Sequence, residues 1–218
     1  PTACILLETA MPILPRRRLL IASAAAAVAA PAWLSPALAQ GKPLRPTPRQ
    51  TEGPFYPVTL PADTDADLLN NGQAIYRKGQ AAWVEGTVID LAGVPVAGAV
   101  VEIWKCDHEG RYHHPGDGGK ADPAFQGFGQ VTVGRDGRYR FRTLKPVPYT
   151  GRTPHIHVKV RLDRQELLTT QLYVAGEPGN ERDGLWRRMN EEARAAVTVP
   201  FTPGSDGLRA TFPIVVQA

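Results

Sequence analysis

The stretch "RYRFRTLKPVPYTGRTPHIHVKV", residues 138–160, holds two runs of strict alternation separated by a Pro/Gly-rich loop. In the first run Tyr139 and Phe141 share one face while Arg138, Arg140 and Arg142 share the other. In the second, Ile156, Val158 and Val160 alternate with His155, His157 and Lys159. A repeat of two is that of a half-buried β-strand, so both runs predict strands turning an apolar face to a core. Working outward, "AAWVEGTVID" (81–90) and "AVVEIWKCD" (99–107) alternate in the same way around the turn "LAGVPVAG". "GQVTV" (129–133) and the 138–144 run, joined by "GRDG", predict a hairpin. "LLTTQLYVAG" (167–176) and "LRATFPIVV" (208–216) read as further strands, and "ERDGLWRRMNEEARAAV" (181–197) as the one amphipathic helix. About seven turn-separated strands in roughly 140 residues predict an all-β fold. The expected architecture is a single antiparallel β-sandwich with Greek-key-like connections, long loops and one short helix in the C-terminal half.

Composition agrees. Hydrophobic residues make up 43% and charged residues 21%, which excludes a disordered chain, and the 21 glycines and 21 prolines punctuate short apolar runs. The first 39 residues stand apart. Residues 1–10 precede Met11 and read as an upstream extension. From Met11, three arginines (Arg16 to Arg18), an Ala/Leu-rich stretch and Ala37-Leu38-Ala39 form the pattern of a cleavable signal peptide. Pro31 and Pro36 interrupt the apolar stretch, so removal after Ala39 is expected rather than a lasting membrane span. "RRRLL" resembles a twin-arginine export signal, which implies a periplasmic or extracellular destination for an already folded protein.

Without residues 1–39 the chain carries 22 basic and 20 acidic residues instead of 25 and 21. No basic patch interleaved with aromatics remains, so nucleic acid is not an expected partner. Cys106 is the only cysteine left, which excludes an intrachain disulfide and a cysteine-based metal cage. Any metal must therefore use histidine, tyrosine or carboxylates. Residues 40–80 are Pro-rich and aperiodic, and read as an extended arm ahead of the sandwich at 81–218.

The alternation puts His155 and His157 on one face of a strand, where two imidazoles can converge on one ion. A solvated edge strand would show the same pattern. Tyr112 and Tyr149 sit in loops where a scaffold can aim side chains inward, although a loop tyrosine is as readily packing. His113 and His114 in "YHHP" are alternative imidazoles.

Four strings, "TEGPFYP" (51–57), "GTVIDLAGVPVAGAVVEIWKCDHEGRYHH" (86–114), "DPAFQGFGQVTVGRDGRYRFRTLKPVPYTGRTPHIHVKV" (122–160) and "TTQLYVAGEP" (169–178), together resemble the intradiol ring-cleavage dioxygenases, the protocatechuate-cleaving branch most of all. The resemblance implies a mononuclear non-haem Fe(III) held by Tyr112, Tyr149, His155 and His157. Two phenolates are hard donors that favour ferric iron, and two neutral imidazoles complete the set. It also implies a catechol-type substrate and O2, with Tyr149 releasing the metal and taking up a proton as the catechol binds, and a cis,cis-muconate-type diacid as product. Arg152 is implied to stabilise charge developing on the ring, and Gln171 to hold an oxygen intermediate. Thr51, Gly53 and Pro54 are implied to line the substrate opening, with Trp104 supporting the pocket.

The chain departs from that pattern in one place. Only Thr150 and Gly151 separate Tyr149 from Arg152, where the protocatechuate enzymes carry a longer, Trp-containing loop. A more open pocket for substituted catechols is expected, and homo-oligomerisation is left open. The strand-turn-strand at 86–104 also resembles transthyretin-like and carboxypeptidase-regulatory-like sandwiches, a non-catalytic alternative.

Overall fold

The computed structural model describes residues 43–218; the upstream extension, the expected leader and the first residues of the arm lie outside the described residues. Among the described residues, twelve strands form in chain order. They are β1 (Asn70–Asn71), β2 (Ala74–Ile75), β3 (Ala81–Asp90), β4 (Val100–Trp104), β5 (Phe128–Thr132), β6 (Arg138–Leu144), β7 (His155–Leu162), β8 (Gln165–Val174), β9 (Thr198–Val199), β10 (Thr202–Gly204), β11 (Gly207–Thr211) and β12 (Ile214–Val216). β1 and β2 make a small ribbon. β5-β4-β7-β8-β9 form one sheet, and β10, β11, β12 and β6 gather around β3 in the other.

The core lies between these sheets. Val101 and Ile103 of β4, Ile156, Val158 and Val160 of β7, and Leu168 and Leu172 of β8 meet Val84 and Val88 of β3 and Tyr139 and Phe141 of β6. Each fully buried side chain of this size contributes about 1.5–3 kcal/mol. The alternation read from residues 138–144 and 155–160 is thus realised, with Tyr139, Phe141, Ile156, Val158 and Val160 all buried in the core.

Four expectations change in detail. The hairpin expected between 129–133 and 138–144 does not form: β5 pairs with β4, and β6 pairs with β3 across the sandwich. The turn at 134–137 spans the gap of about 10 Å between sheets, not the 4.8 Å between neighbouring strands. The final strand is two, because Pro213 has no N–H to give to a ladder. The pairing is mixed, since β11 and β12 both run parallel to β3, and β9 runs parallel to β8. The expected single helix is also two, α1 (Gly184–Arg188) and α2 (Glu191–Val197), because Asn190 turns extended and caps the second by accepting from Ala193 N. Among the described residues, no helix is long and apolar enough to cross a membrane.

Where β11 gives way to β12, Phe212 N donates to the Glu85 carbonyl and the chain closes on Gly86 of β3. A Cβ at Gly86 would lie 2.1 Å from the Phe212 carbonyl oxygen. Gly86→Ala is therefore expected to pry β11 and β12 off β3 and to destabilise the fold by about 1–3 kcal/mol. A urea-denaturation midpoint equal to that of the wild type would count against this packing.

Candidate metal centre

Strand register places the site. Across the sheet Trp104 of β4, His157 of β7 and Gln171 of β8 are direct neighbours, so their side chains share one face. One step along, His155 pairs with Tyr173. This face is opposite the core, yet it is not wet: His155 and His157 are each 1% exposed and Gln171 0%. The solvated-edge reading of the His-x-His pattern therefore fails. Residues 50–56 of the arm, the loops after β4 and β6, and the segment leading into α1 cover it.

Hydrogen bonding fixes the first imidazole. His155 Nδ1 lies 2.7 Å from the Thr153 carbonyl oxygen, which can only accept, so Nδ1 carries the proton and Nε2 carries the lone pair. That Nε2 faces His157 Nε2 across 3.2 Å. Two nitrogens bound to one ion at about 2.1 Å and 90–109° apart lie roughly 3.0–3.4 Å from each other. Burial, with the Arg152 guanidinium adding to it, pulls the His155 pKa down to about 3, and burial holds His157 well below the ordinary range. Both rings are neutral donors at neutral pH. Trp104 stacks flat on His157, centroids 4.8 Å apart at 10°, so it supports the ring from behind.

Two tyrosines complete the circle. A buried Asp107 carboxylate organises the chain on both sides of Tyr112, accepting from Glu109 N and Arg111 N before it and from Asp122 N after it at 2.9–3.0 Å, and Asp117 accepts from Tyr112 N at 2.7 Å. Tyr112 is 2% exposed, stacked on Phe55 at 4.7 Å, and its hydroxyl has no hydrogen-bond partner. Tyr149 is half-buried in the loop before β7. The four rings form a closed circuit, with centroids 5.3 Å from Tyr112 to Tyr149, 5.4 Å to His155, 4.7 Å to His157 and 6.1 Å back to Tyr112. Burial raises both phenols, well above the ordinary range at Tyr112, while Arg152 opposes the rise at Tyr149. Among the described residues no group of three His, Cys, Asp or Glu is placed to hold a metal. An ion here needs the phenols, and an orphaned buried hydroxyl beside two facing imidazole nitrogens fits a hard cation.

Arg152 reaches the circuit from its edge, with Nη1 3.4 Å from His155 Nε2. Its Nη2 donates to Gln171 Oε1 at 2.6 Å, and its Nε donates to Asp183 Oδ2 at 2.8 Å. Gln171 Nε2 in turn donates to the Thr51 carbonyl at 3.0 Å. Gly53, at φ +77°, passes so close that a Cβ would sit 3.2 Å from His157 Cε1. Pro54 is exposed in the same turn, and Phe55 makes the contact with Tyr112. A cleft of about 470 Å³ opens beside the circuit, walled by Tyr149, Gly151, Arg152, Glu177, Arg182 and Asp183.

A family model described as Dioxygenase matches residues 51–218. The chain belongs to the intradiol dioxygenase family. The hydroxyquinol 1,2-dioxygenase of Corynebacterium glutamicum is 33% identical over 182 residues, covering 71% of this chain and 56% of that protein. The protocatechuate 3,4-dioxygenase beta chain of Burkholderia cepacia is 34% identical over 174 residues, 73% of each chain. A solved dioxygenase domain of a dioxygenase carbohydrate-binding protein fusion from Streptomyces sp. SirexAA-E matches with TM-score 0.64 at 32% identity, covering 80% of this chain and 99% of that one. An intradiol ring-cleavage dioxygenase from Tetranychus urticae shares the fold, with TM-score 0.66 at 21% identity over 80% and 95% of the two chains. The chain thus spans little more than half the length of the hydroxyquinol relative, and nearly all of the Streptomyces domain.

Ten of the residues singled out in the sequence lie in or around this circuit and divide by depth, with Pro54 outermost, exposed in the turn that carries Gly53. Tyr112, Tyr149, His155 and His157 make the circuit, Arg152 and Gln171 edge it, and Trp104 lies behind it. Thr51 meets it through a backbone carbonyl and Gly53 by close approach. His113 and His114 turn away: His113 Nε2 donates to the Phe125 carbonyl, and His114 Nδ1 accepts from Gly116 N. Sequence reasoning missed Phe55, Tyr173 and Asp183. Phe55 lay inside a quoted motif, whereas the signal for Asp183 was only an Asp-Gly pair ahead of a helix. Since three backbone N–H groups, two before Tyr112 and one after it, depend on Asp107, Asp107→Ala should lower stability by roughly 1–3 kcal/mol in urea denaturation.

Proposed function

We propose that this protein is a non-haem Fe(III)-dependent intradiol dioxygenase, which opens a catechol ring between its two hydroxyl-bearing carbons with both atoms of O2 and releases a cis,cis-muconate-type diacid. The observation that carries the reading is the closed circuit of Tyr112, Tyr149, His155 and His157, two neutral imidazoles and two phenols with one hydroxyl left unpartnered. Ferric iron held by those four side chains would bind a catecholate and make its ring reactive toward O2.

The chain's own groups divide the remaining work. Tyr149, half-buried beside the cleft, would take up a catechol proton at its phenolic oxygen. The Arg152 guanidinium presents Nη1 to His155 Nε2, at the edge of the circuit, and would steady negative charge developing on the ring. Gln171, pinned between Arg152 and the Thr51 carbonyl, offers a neutral amide beside it. Residues 51–55 of the arm cover the site, through the Thr51 carbonyl, the close approach of Gly53 and the Phe55 ring, and the strands of the sandwich carry it from below. A support module of the transthyretin-like kind has no use for such a convergence of buried donors.

The cleft supports a broader substrate range than protocatechuate alone. Its volume falls within the range of pockets that take drug-sized ligands, more than a bare catechol requires. Gly151 occupies the short gap after Tyr149, and a Cβ there would touch nothing within 4 Å. The relatives span hydroxyquinol, catechol and protocatechuate enzymes, in keeping with a site not narrowed to one branch. We extend the proposal to export through the twin-arginine-type leader, on the strength of residues 11–39.

The deciding experiment is the visible spectrum of the iron-loaded protein. A broad tyrosinate charge-transfer band is expected, shifting to longer wavelength on anaerobic addition of catechol. His155→Ala should weaken iron binding by about 100-fold or more, beyond the 10- to 100-fold of an outer-shell partner. A featureless spectrum at full iron loading would overturn the reading. In a panel of catechol, hydroxyquinol, protocatechuate and larger 4-substituted catechols, several are expected to turn over within about tenfold of one another. Turnover confined to protocatechuate would contradict the open cleft.

A further inference from the structure

We propose that Asp183 is a positioning residue: its buried carboxylate holds the Arg152 guanidinium so that Nη1 stays aimed at the imidazoles. The inference rests on the reading of the site as an intradiol centre. The Asp183 side chain is 0% exposed, and both oxygens are fully used. Oδ1 accepts from Leu185 N at 2.9 Å and Trp186 N at 3.1 Å, which caps α1. Oδ2 accepts from Arg152 Nε at 2.8 Å and from Thr153 N at 3.1 Å.

A helix cap alone does not explain that arrangement. Capping needs one acceptor oxygen, and serine or asparagine supplies it as well as a carboxylate does. A buried carboxylate is costly unless its charge is met, and the charge it meets here is Arg152, a side chain at the edge of the circuit. The second grip, on Thr153 N, fixes the backbone two residues before His155. Arg152 is then held at three points: Nε by Asp183, Nη2 by Gln171 at 2.6 Å and Nη2 by the Tyr173 hydroxyl at 3.4 Å. These contacts leave Nη1 facing His155 Nε2. Without Asp183 the long side chain would keep contacts only near its tip, and a misplacement of about 1 Å can cost 100-fold in rate. Burial opposes ionisation of Asp183, but Arg152 and the amides of Trp186 and Thr153 outweigh it and hold its carboxyl below the usual range.

Asp183→Ser separates the two duties, because a serine hydroxyl can still cap α1 but cannot reach the guanidinium. In that variant we expect unchanged iron content and tyrosinate absorption, with kcat falling about 10- to 100-fold and KM changing less. Combined with Arg152→Ala, it should add little further loss. Millimolar guanidinium should restore part of the rate of Arg152→Ala but not of the double variant. Independently of turnover, the gallium(III)-loaded, diamagnetic wild type should show a downfield, slowly exchanging Arg152 Nε–H signal that disappears in Asp183→Ser. Lower thermal stability with kcat within twofold of the wild type would make Asp183 a cap and nothing more, and overturn the proposal. So would a fast-exchanging Nε–H in the wild type. If the iron-loaded wild type cleaves no catechol, the reading of the site fails, while the Nε–H signal still decides whether Asp183 holds Arg152.

Discussion

Strand β7 is hydrogen-bonded along both edges, to β4 and to β8, and covered on both faces. On the inner face this enclosure yields an ordinary core of Ile156, Val158 and Val160. On the outer face it takes two imidazoles out of water, where protonation would put charge into a low-dielectric setting. The same pair on an open strand would titrate near neutrality and bind protons, competing with any metal. Here desolvation leaves the lone pairs free, and the Thr153 carbonyl decides which nitrogen of His155 offers one. Everything else about the site, from the tyrosines to Arg152, is arranged around the atoms that β7 presents.

The outer face needs a cover, and an aperiodic arm provides it. Gln171 ties down the Thr51 carbonyl, Lys159 pairs with Glu52, and the Tyr56 hydroxyl donates to the buried Glu102 at 2.9 Å. Glu102 is paired in turn with Arg161. These charged partners sit further along the same strand rows as the histidines, since Glu102 and Lys159 are cross-strand neighbours, as are Trp104 and His157. Seating the arm with ion pairs places Gly53 against His157, at a distance that only a residue without a side chain reaches unstrained.

Legibility followed the range of each physical cause. The alternation at 138–144 and 155–160 is local, so faces and core residues could be read directly. Which strands become neighbours is not local. "GRDG" looks like a hairpin turn, and only the demand that both apolar faces meet sends β5 and β6 to opposite sheets. Asn190 is legible as a cap in hindsight, but the amphipathic pattern running through it was the stronger signal. For the site, His155 and His157 could be placed on one face by period, but burial of that face depends on residues 100 positions upstream. The tyrosines entered through resemblance, because a loop tyrosine has no periodicity to betray its direction. Asp183 escaped both routes: its partner Arg152 is 31 residues away, and capping already explains an Asp before a short helix.

The two tyrosines are not equivalent, and the difference is physical. Tyr112 is fully buried, stacked on Phe55, and held by a turn whose amides are tied to Asp107 and Asp117, so its ring has little freedom. Tyr149 lies on a loop between Pro148 and Gly151, half-buried at the wall of the cleft. Burial raises both phenols, but only at Tyr149 does the Arg152 guanidinium rank next among the influences and oppose it. The phenol that is proposed to gain and lose a proton during turnover would need access to the reactant and a nearby cation to ease the charged form. Tyr149 has the cleft and the Arg152 guanidinium beside it, whereas Tyr112 is enclosed on every side. The asymmetry follows from where the chain turns: the Tyr112 loop closes on itself through carboxylates, and the Tyr149 loop is left two residues long before Arg152.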